Sequence, residues 1–153
     1  MGNPENAFCI SDLKGFLQGS WSLERSIEDH RARQSGRLGG DASFTAAGAD
    51  LVYQEEGRLV IGDPASPVYA GPVLQSYLYA FPVPSKAEVR FRDGRFFHAL
   101  DLSNGPWACT HLCDPDRYEG EFTVLDADTW RVVWTVTGPR KEQRLDSTYR
   151  RAL

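Results

Sequence analysis

The stretch "GSWSLERSIED", Gly19–Asp29, decides the fold. Its period is two. Trp21, Leu23, Arg25 and Ile27 fall on one face, and Ser22, Glu24, Ser26 and Glu28 on the other, as in a β-strand with one buried side. An arginine among the apolar residues makes that buried side unusual, because a buried charge needs a partner.

Working outward, the preceding "SDLKGFLQG" is the one helical segment. Ser11 is placed to cap it, Asp12 sits in its first turn, and Gly19 lies past its end. Phe8, Leu13, Phe16 and Leu17 supply an apolar face. It is short, so packing must hold it. After Gly19 the period of two persists. "GRLGGDASFTAAG" reads as a glycine-rich strand. "ADLVYQEEG" and "RLVIG" read as two strands that turn at Gly57. "PVLQSYLYAFPV" places Gln75, Tyr77, Tyr79 and Phe81 on one face. "KAEVRFRDGRFFHALDL" reads as a hairpin turning at Asp93-Gly94. "WACTHLC", "YEGEFTVLD", "TWRVVWTVTG" and "RLDSTYRRA" follow. Short turns between consecutive strands predict an antiparallel meander. With no second helix to cover its apolar face, the meander hides that face by closing on itself. The expected fold is all-β: one up-and-down barrel of about 8–10 strands spanning residues 1–153, with residues 1–18 forming an N-terminal segment and helix. A two-sheet sandwich is the alternative.

Composition bounds the function. The chain has 153 residues, 25% of them charged, and a net charge of −4. The arginines are scattered, so no basic face invites nucleic acid. No apolar run reaches the roughly 20 residues of a membrane helix. The N-terminus lacks a cationic start before an apolar stretch, and Asn6 stands where acylation at Gly2 would want Ser or Thr. Three cysteines without an export signal fit the reduced thiols of a cytoplasmic protein.

Gly19-Ser20-Trp21 after a short helix resembles the Gly-x-Trp entry to the barrel of lipocalins and other calycins. The resemblance implies that Trp21 plugs one end and that an arginine of the last strand, Arg150 or Arg151, lies against it. Guanidinium over indole is favourable in its own right. A tighter resemblance runs through Trp21-x-Leu-x-Arg25, Tyr53-x-Glu55-x-Gly57, Phe97-His98, His111-x-Cys113-x-x-Asp116-x-Tyr118, Gly138-Pro139-Arg140-Lys141 and Tyr149-Arg150. This series is similar to an uncharacterised family of small bacterial and fungal lipocalin-like proteins, which brings no established activity with it. Nitrobindin-type haem barrels are a more distant comparison.

With Trp21 inward, alternation turns Arg25 inward too. Tyr53 and Glu55 share a face with Leu51, and His98 with Phe96 and Leu100. Cys109, His111 and Cys113 go with Trp107, Tyr118 with Phe122 and Val124, Trp134 with Trp130, and Tyr149 with Leu145. Arg25 and Glu55 form the expected ion pair, with tyrosine hydroxyls completing it. The expected function is binding of a small, partly apolar, anionic molecule inside the barrel. Its polar part is lined by Arg25, Tyr53, Glu55, His98, His111, Tyr118, Trp134 and Tyr149, with Arg25 holding a carboxylate or phosphate. One alternative is an isomerase or hydrolase in the same cavity, using Glu55 as base or a Cys–His pair. Another is a filled barrel that binds proteins, or pairs two copies through a strand face. No cofactor is required. A zinc ion on His98, Cys109, His111 and Cys113, or a haem on His98 or His111, is the metal alternative. Three ligands along one straight strand suit zinc poorly.

Overall fold

A computed structural model describes residues 8–153. The expectations for Gly2, Asn6 and the first seven residues lie outside the described residues. A short helix, α1 (Leu13–Leu17), precedes β1 (Gly19–Asp29), β2 (Gln34–Ala47), β3 (Asp50–Asp63), β4 (Ser66–Val83) and β5 (Lys86–Phe91). Then come β6 (Phe96–Asp101), β7 (Trp107–Cys113), β8 (Asp116–Asp126), β9 (Thr129–Thr137) and β10 (Glu142–Arg151). All ten strands form one sheet in the order β6-β5-β4-β3-β2-β1-β10-β9-β8-β7. Each strand lies beside its neighbours in sequence, and β1 pairs antiparallel with β10, Trp21 opposite Arg151. The fold is thus the expected all-β antiparallel barrel, and it is nearly closed.

Among the described residues, the one strand junction without a hydrogen-bond ladder is β6–β7, between the sheet's two edges. Side chains close it. Trp107 Nε1 of β7 donates to the Ala99 carbonyl of β6 at 2.9 Å.

One end of the barrel is plugged. Leu13 and Leu17 of α1 are fully buried there, above a layer of Trp21, Phe44, Leu51, Leu100 and Leu102. Trp21 Nε1 donates to the Leu17 carbonyl at 2.8 Å, which ties the helix to β1. Arg151 is the arginine of the last strand that meets Trp21, its guanidinium 4.2 Å from the ring centroid. Arg150 points outward toward Glu24. Asp12, not Ser11, caps the helix, its carboxylate accepting from the Gly15 amide at 3.0 Å. A Cβ at position 15 would collide with that carboxylate, which explains a glycine inside so short a helix. Phe8 lies outside the helix and is exposed.

Two further expectations are corrected. Gly57 is no turn: β3 runs straight through it, with Gly57 facing Gly40 of β2. A Cβ on Gly57 would stand 2.6 Å from the Gly39 carbonyl oxygen, so this glycine permits a close strand approach. "ADLVYQEEG" and "RLVIG" are therefore one strand. Phe96 does not face inward with His98. The β5–β6 register shifts between Val89 and Arg90, so that Arg90 pairs with Phe96 while Val89 pairs with His98. Phe96 is left exposed, and Phe97 packs against the core instead. A bulge of this kind re-aims side chains locally.

Candidate functional site

Because strands alternate in direction, the β1–β2, β3–β4, β5–β6, β7–β8 and β9–β10 turns all lie at the end opposite the helix. Below them the barrel encloses a cavity of about 270 Å³. Its floor is Tyr53, Tyr79, Phe122, Trp130 and Tyr149, just above the packed layer on Trp21. Higher on the wall stand His98, Phe97 and Trp134, and nearer the turns Gln75, Tyr118 and Leu145. Gln75 is exposed, so the cavity meets solvent on that side.

The wall is a continuous set of aromatic contacts. Phe97 stacks on Trp134 with centroids 5.1 Å apart. Trp130 stacks on Tyr149 at 3.8 Å and nearly parallel, 5° between planes. Gly120 of β8 makes room for the Trp134 indole. A Cβ there would stand 2.8 Å from its six-membered ring.

One side of the cavity is polar. Arg25 makes the expected pair with Glu55 in bidentate form, Nη1 to Oε2 at 2.8 Å and Nη2 to Oε1 at 3.0 Å. Its Nε donates to the Ser147 hydroxyl at 2.7 Å. The direction of the remaining bonds follows from chemistry. The carboxylate only accepts, so Tyr53 donates to Glu55 at 2.6 Å. Tyr53's oxygen must then accept from Tyr149 at 2.8 Å. The Tyr149 oxygen in turn faces Arg25 Nη2 at 3.5 Å. The pair is buried, its side chains 16% and 4% exposed. Burial opposes the charge on Arg25, but the Tyr149 phenol and Glu55 outweigh it, and the guanidinium's pKa is raised. Burial first, then the neighbouring Tyr149 and Glu55, hold Tyr53 well above the usual phenol range. Burial pushes Tyr149 up to about 12 despite the opposing pull of Arg25. All these phenols stay protonated at neutral pH.

His98 is 4% exposed, and burial lowers its pKa to about 4, so the imidazole is neutral. Its Nδ1 lies 2.8 Å from the Ala99 carbonyl, an acceptor, so Nδ1 carries the proton and Nε2 is a bare acceptor. His111 does not line the cavity. It packs against Phe97 and Tyr118 on the β6–β7 side.

The structure thus brings Arg25, Tyr53, Glu55, His98, Tyr118, Trp134 and Tyr149 to one cavity, while His111 is not among the residues that line it. Sequence reasoning passed over Gln75, Tyr77, Tyr79 and Trp130 as site residues, although their alternation was visible. It had no signal for Phe97, which the bulge turns inward, or for Ser147 as the partner of Arg25.

The zinc cluster does not assemble. Cys113 is exposed at the end of β7, and among the described residues no three His, Cys, Asp or Glu side chains are placed to share a metal ion. Burial pushes the Cys109 thiol up to about 11, the opposite of an activated nucleophile. Glu55 is committed to Arg25 and Tyr53, which leaves it poorly placed as a general base.

A meandering barrel plugged by a helix, entered through Gly-x-Trp and latched by an arginine over that tryptophan is a lipocalin-like, or calycin-like, fold. The S-type phycobiliprotein lyase CpeS from Guillardia theta has a similar structure, with a TM-score of 0.66, 12% identity and coverage of 95% of this chain and 94% of that one. A redesigned β-barrel, mFAP1, solved bound to DFHBI, gives a TM-score of 0.48 at 12% identity, covering 92% of this chain and 100% of that one. The chain belongs to the Family of unknown function (DUF6314), which matches residues 17–151. No curated protein matches it.

Proposed function

We propose that the protein binds a small planar molecule inside the barrel, held chiefly by ring contacts. The observation that carries this is the cavity itself, a 270 Å³ space walled by aromatics in a barrel that could have been filled. Packed interiors rarely leave such a space. The volume sits just below the roughly 300–1,000 Å³ of typical ligand pockets, which suits a ligand of one or two rings rather than a macrocycle such as haem. The likeness to CpeS supports the fold alone.

The anionic ligand expected from Arg25 is weakened by the geometry. Among the described residues Arg25 is the one cation lining the cavity, and Glu55 already neutralises it. An incoming carboxylate would have to displace a bidentate partner. We therefore assign the pair a structural role and the ligand no net charge.

Native mass spectrometry of the full chain purified from cells, beside a Val132→Phe variant that fills the cavity, tests the reading. The expected result is a one-to-one small-molecule adduct, or saturable uptake of an aromatic probe such as 2-naphthol, in the parent and neither in the variant. No adduct and no saturable uptake in the parent would sink it.

A further inference from the structure

Five tyrosines line the cavity: Tyr53, Tyr77, Tyr79, Tyr118 and Tyr149. Four of their hydroxyls are engaged. Tyr53 and Tyr149 bond each other in the run that ends on Glu55. Tyr77 accepts from Gln75 Nε2 at 2.7 Å. Tyr118 has the Lys141 ammonium as its partner near the turns. The Tyr79 hydroxyl makes no hydrogen bond to any described residue. Tyr79 is only 5% exposed, and a buried tyrosine hydroxyl ordinarily finds a partner. Its oxygen is not walled in. Among the described residues, Trp130 Nε1 alone is a side-chain nitrogen or oxygen that is both unpartnered and sealed from water-sized space. The Tyr79 oxygen therefore borders open space, and for a side chain on the inner face that space is the cavity. The ring itself is held in place, edge-on to Phe44 at 5.0 Å and beside Tyr53 at 6.0 Å. Burial holds the phenol well above its usual range, so it keeps its proton at neutral pH.

We infer that the Tyr79 hydroxyl is the recognition donor at the deep end of the cavity, and that the ligand is an uncharged one- or two-ring molecule whose leading end carries a hydrogen-bond acceptor, a ketone-like carbonyl or a ring nitrogen. The inference rests on the cavity reading above and deepens it. A phenol donates better than it accepts, because its ring withdraws the oxygen lone pair, so an acceptor is what it selects. Tyr79 belongs to the floor and Gln75 to the side that meets solvent, so the acceptor enters first and the far end of the frame faces the mouth. The neighbouring hydroxyls cannot replace this donor. The Tyr149 proton is spent on Tyr53, and the Tyr53 proton on Glu55. A ring already fixed by packing loses little freedom when its hydroxyl is engaged. A ligand with an apolar leading end would strip that hydroxyl of water and leave it unpaired, at a cost in affinity.

A matched pair of probes tests this. 2-Acetylnaphthalene and 2-isopropenylnaphthalene share one shape and differ in a single group, a carbonyl oxygen in the first and a methylene in the second. Their affinities for the full chain and for Tyr79→Phe are measured at neutral pH by equilibrium dialysis, with 2-naphthol as the reference probe for the cavity. The ketone is expected to bind the parent roughly fivefold tighter than the alkene, one ordinary net hydrogen bond's worth. In Tyr79→Phe that ratio should fall to about one. The infrared carbonyl stretch of the bound ketone should lie at lower frequency in the parent than in Tyr79→Phe, a difference that a merely structural role would not produce. Tyr79→Phe removes an unpartnered hydroxyl, so the free protein should keep its stability. If the variant nonetheless fails to fold, the parent's ratio decides, together with its bound carbonyl frequency against that of the ketone in an alkane. Equal affinities in the parent, or a preference for the ketone that survives Tyr79→Phe, would overturn the Tyr79 assignment while leaving the cavity reading intact. Saturable binding of 2-naphthol but of neither matched probe would overturn the acceptor requirement, again with the cavity reading intact. Binding of no probe would remove the cavity reading itself.

Discussion

Removing the charges of Arg25 and Glu55, singly and together, gives the sharpest test of how the interior is built. Arg25→Met leaves a carboxylate that is 4% exposed with one remaining donor, Tyr53. Glu55→Leu leaves a guanidinium that is 16% exposed and keeps Ser147 and, more distantly, Tyr149. Breaking a buried pair from one side costs about 3–5 kcal/mol, because an uncompensated ion stays inside. Arg25→Met should fall at the upper end of that range, since its orphaned ion is the more buried. The double change removes both ions and replaces them with apolar groups of similar reach. Such replacements are often neutral or stabilising. The double variant should therefore be more stable than either single one, with a coupling energy of at least about 3 kcal/mol. Urea unfolding followed by tryptophan fluorescence reads all four free energies. Additivity of the single effects to within about 0.5 kcal/mol would refute the claim that the two charges form one buried unit.

Three other outcomes follow from particular contacts. His98 should make stability fall in acid. Its folded pKa, about 4, lies below the ordinary imidazole value of 6.5, so between those values the unfolded chain binds the extra proton and stability rises with pH. The contribution is about 3 kcal/mol across that window, at 1.36 kcal/mol per pKa unit, fully present above pH 6.5 and lost toward pH 4. His98→Phe should flatten urea midpoints between pH 6.5 and 4, and an unchanged slope would refute the assignment. Gly120→Ala should push the Trp134 indole off its present site and cost about 1–3 kcal/mol, with a shifted tryptophan emission as the readout. Trp107→Phe should remove the donor that bridges β6 and β7, costing about 1 kcal/mol and raising amide exchange along those two strands more than along β1 and β10.

Much of the fold was legible because a buried sheet face imposes a period of two. The faces of Trp21 to Ile27, of Trp130 to Val136 and of Gln75 to Phe81 could be read directly. The Arg25–Glu55 pair was legible for a related reason: two opposite charges on inward faces must meet or pay heavily for burial. Where the reading failed, the cause was a feature that leaves no period. Gly57 reads as a turn by composition, yet here it is a site of close approach between β2 and β3. The β5–β6 bulge exchanges Phe96 for Phe97 without altering the local pattern. The unpaired β6–β7 junction is a property of three-dimensional closure, so no single strand announces it. His98 was legible as a candidate site residue by its alternation, whereas Trp130 looked like an ordinary aromatic of the core. Both line the cavity, and a sequence does not show which inward residues border open space.

The central claim is that the barrel's interior is a binding site rather than packed core. The most direct measurement is a high-resolution crystal structure of the full chain soaked with 2-naphthol. The account requires the probe inside the barrel, among the aromatic side chains that line the cavity, Phe97, Phe122 and Trp134 among them. Side chains collapsed into that space, or the probe found only on the outer surface, would contradict it.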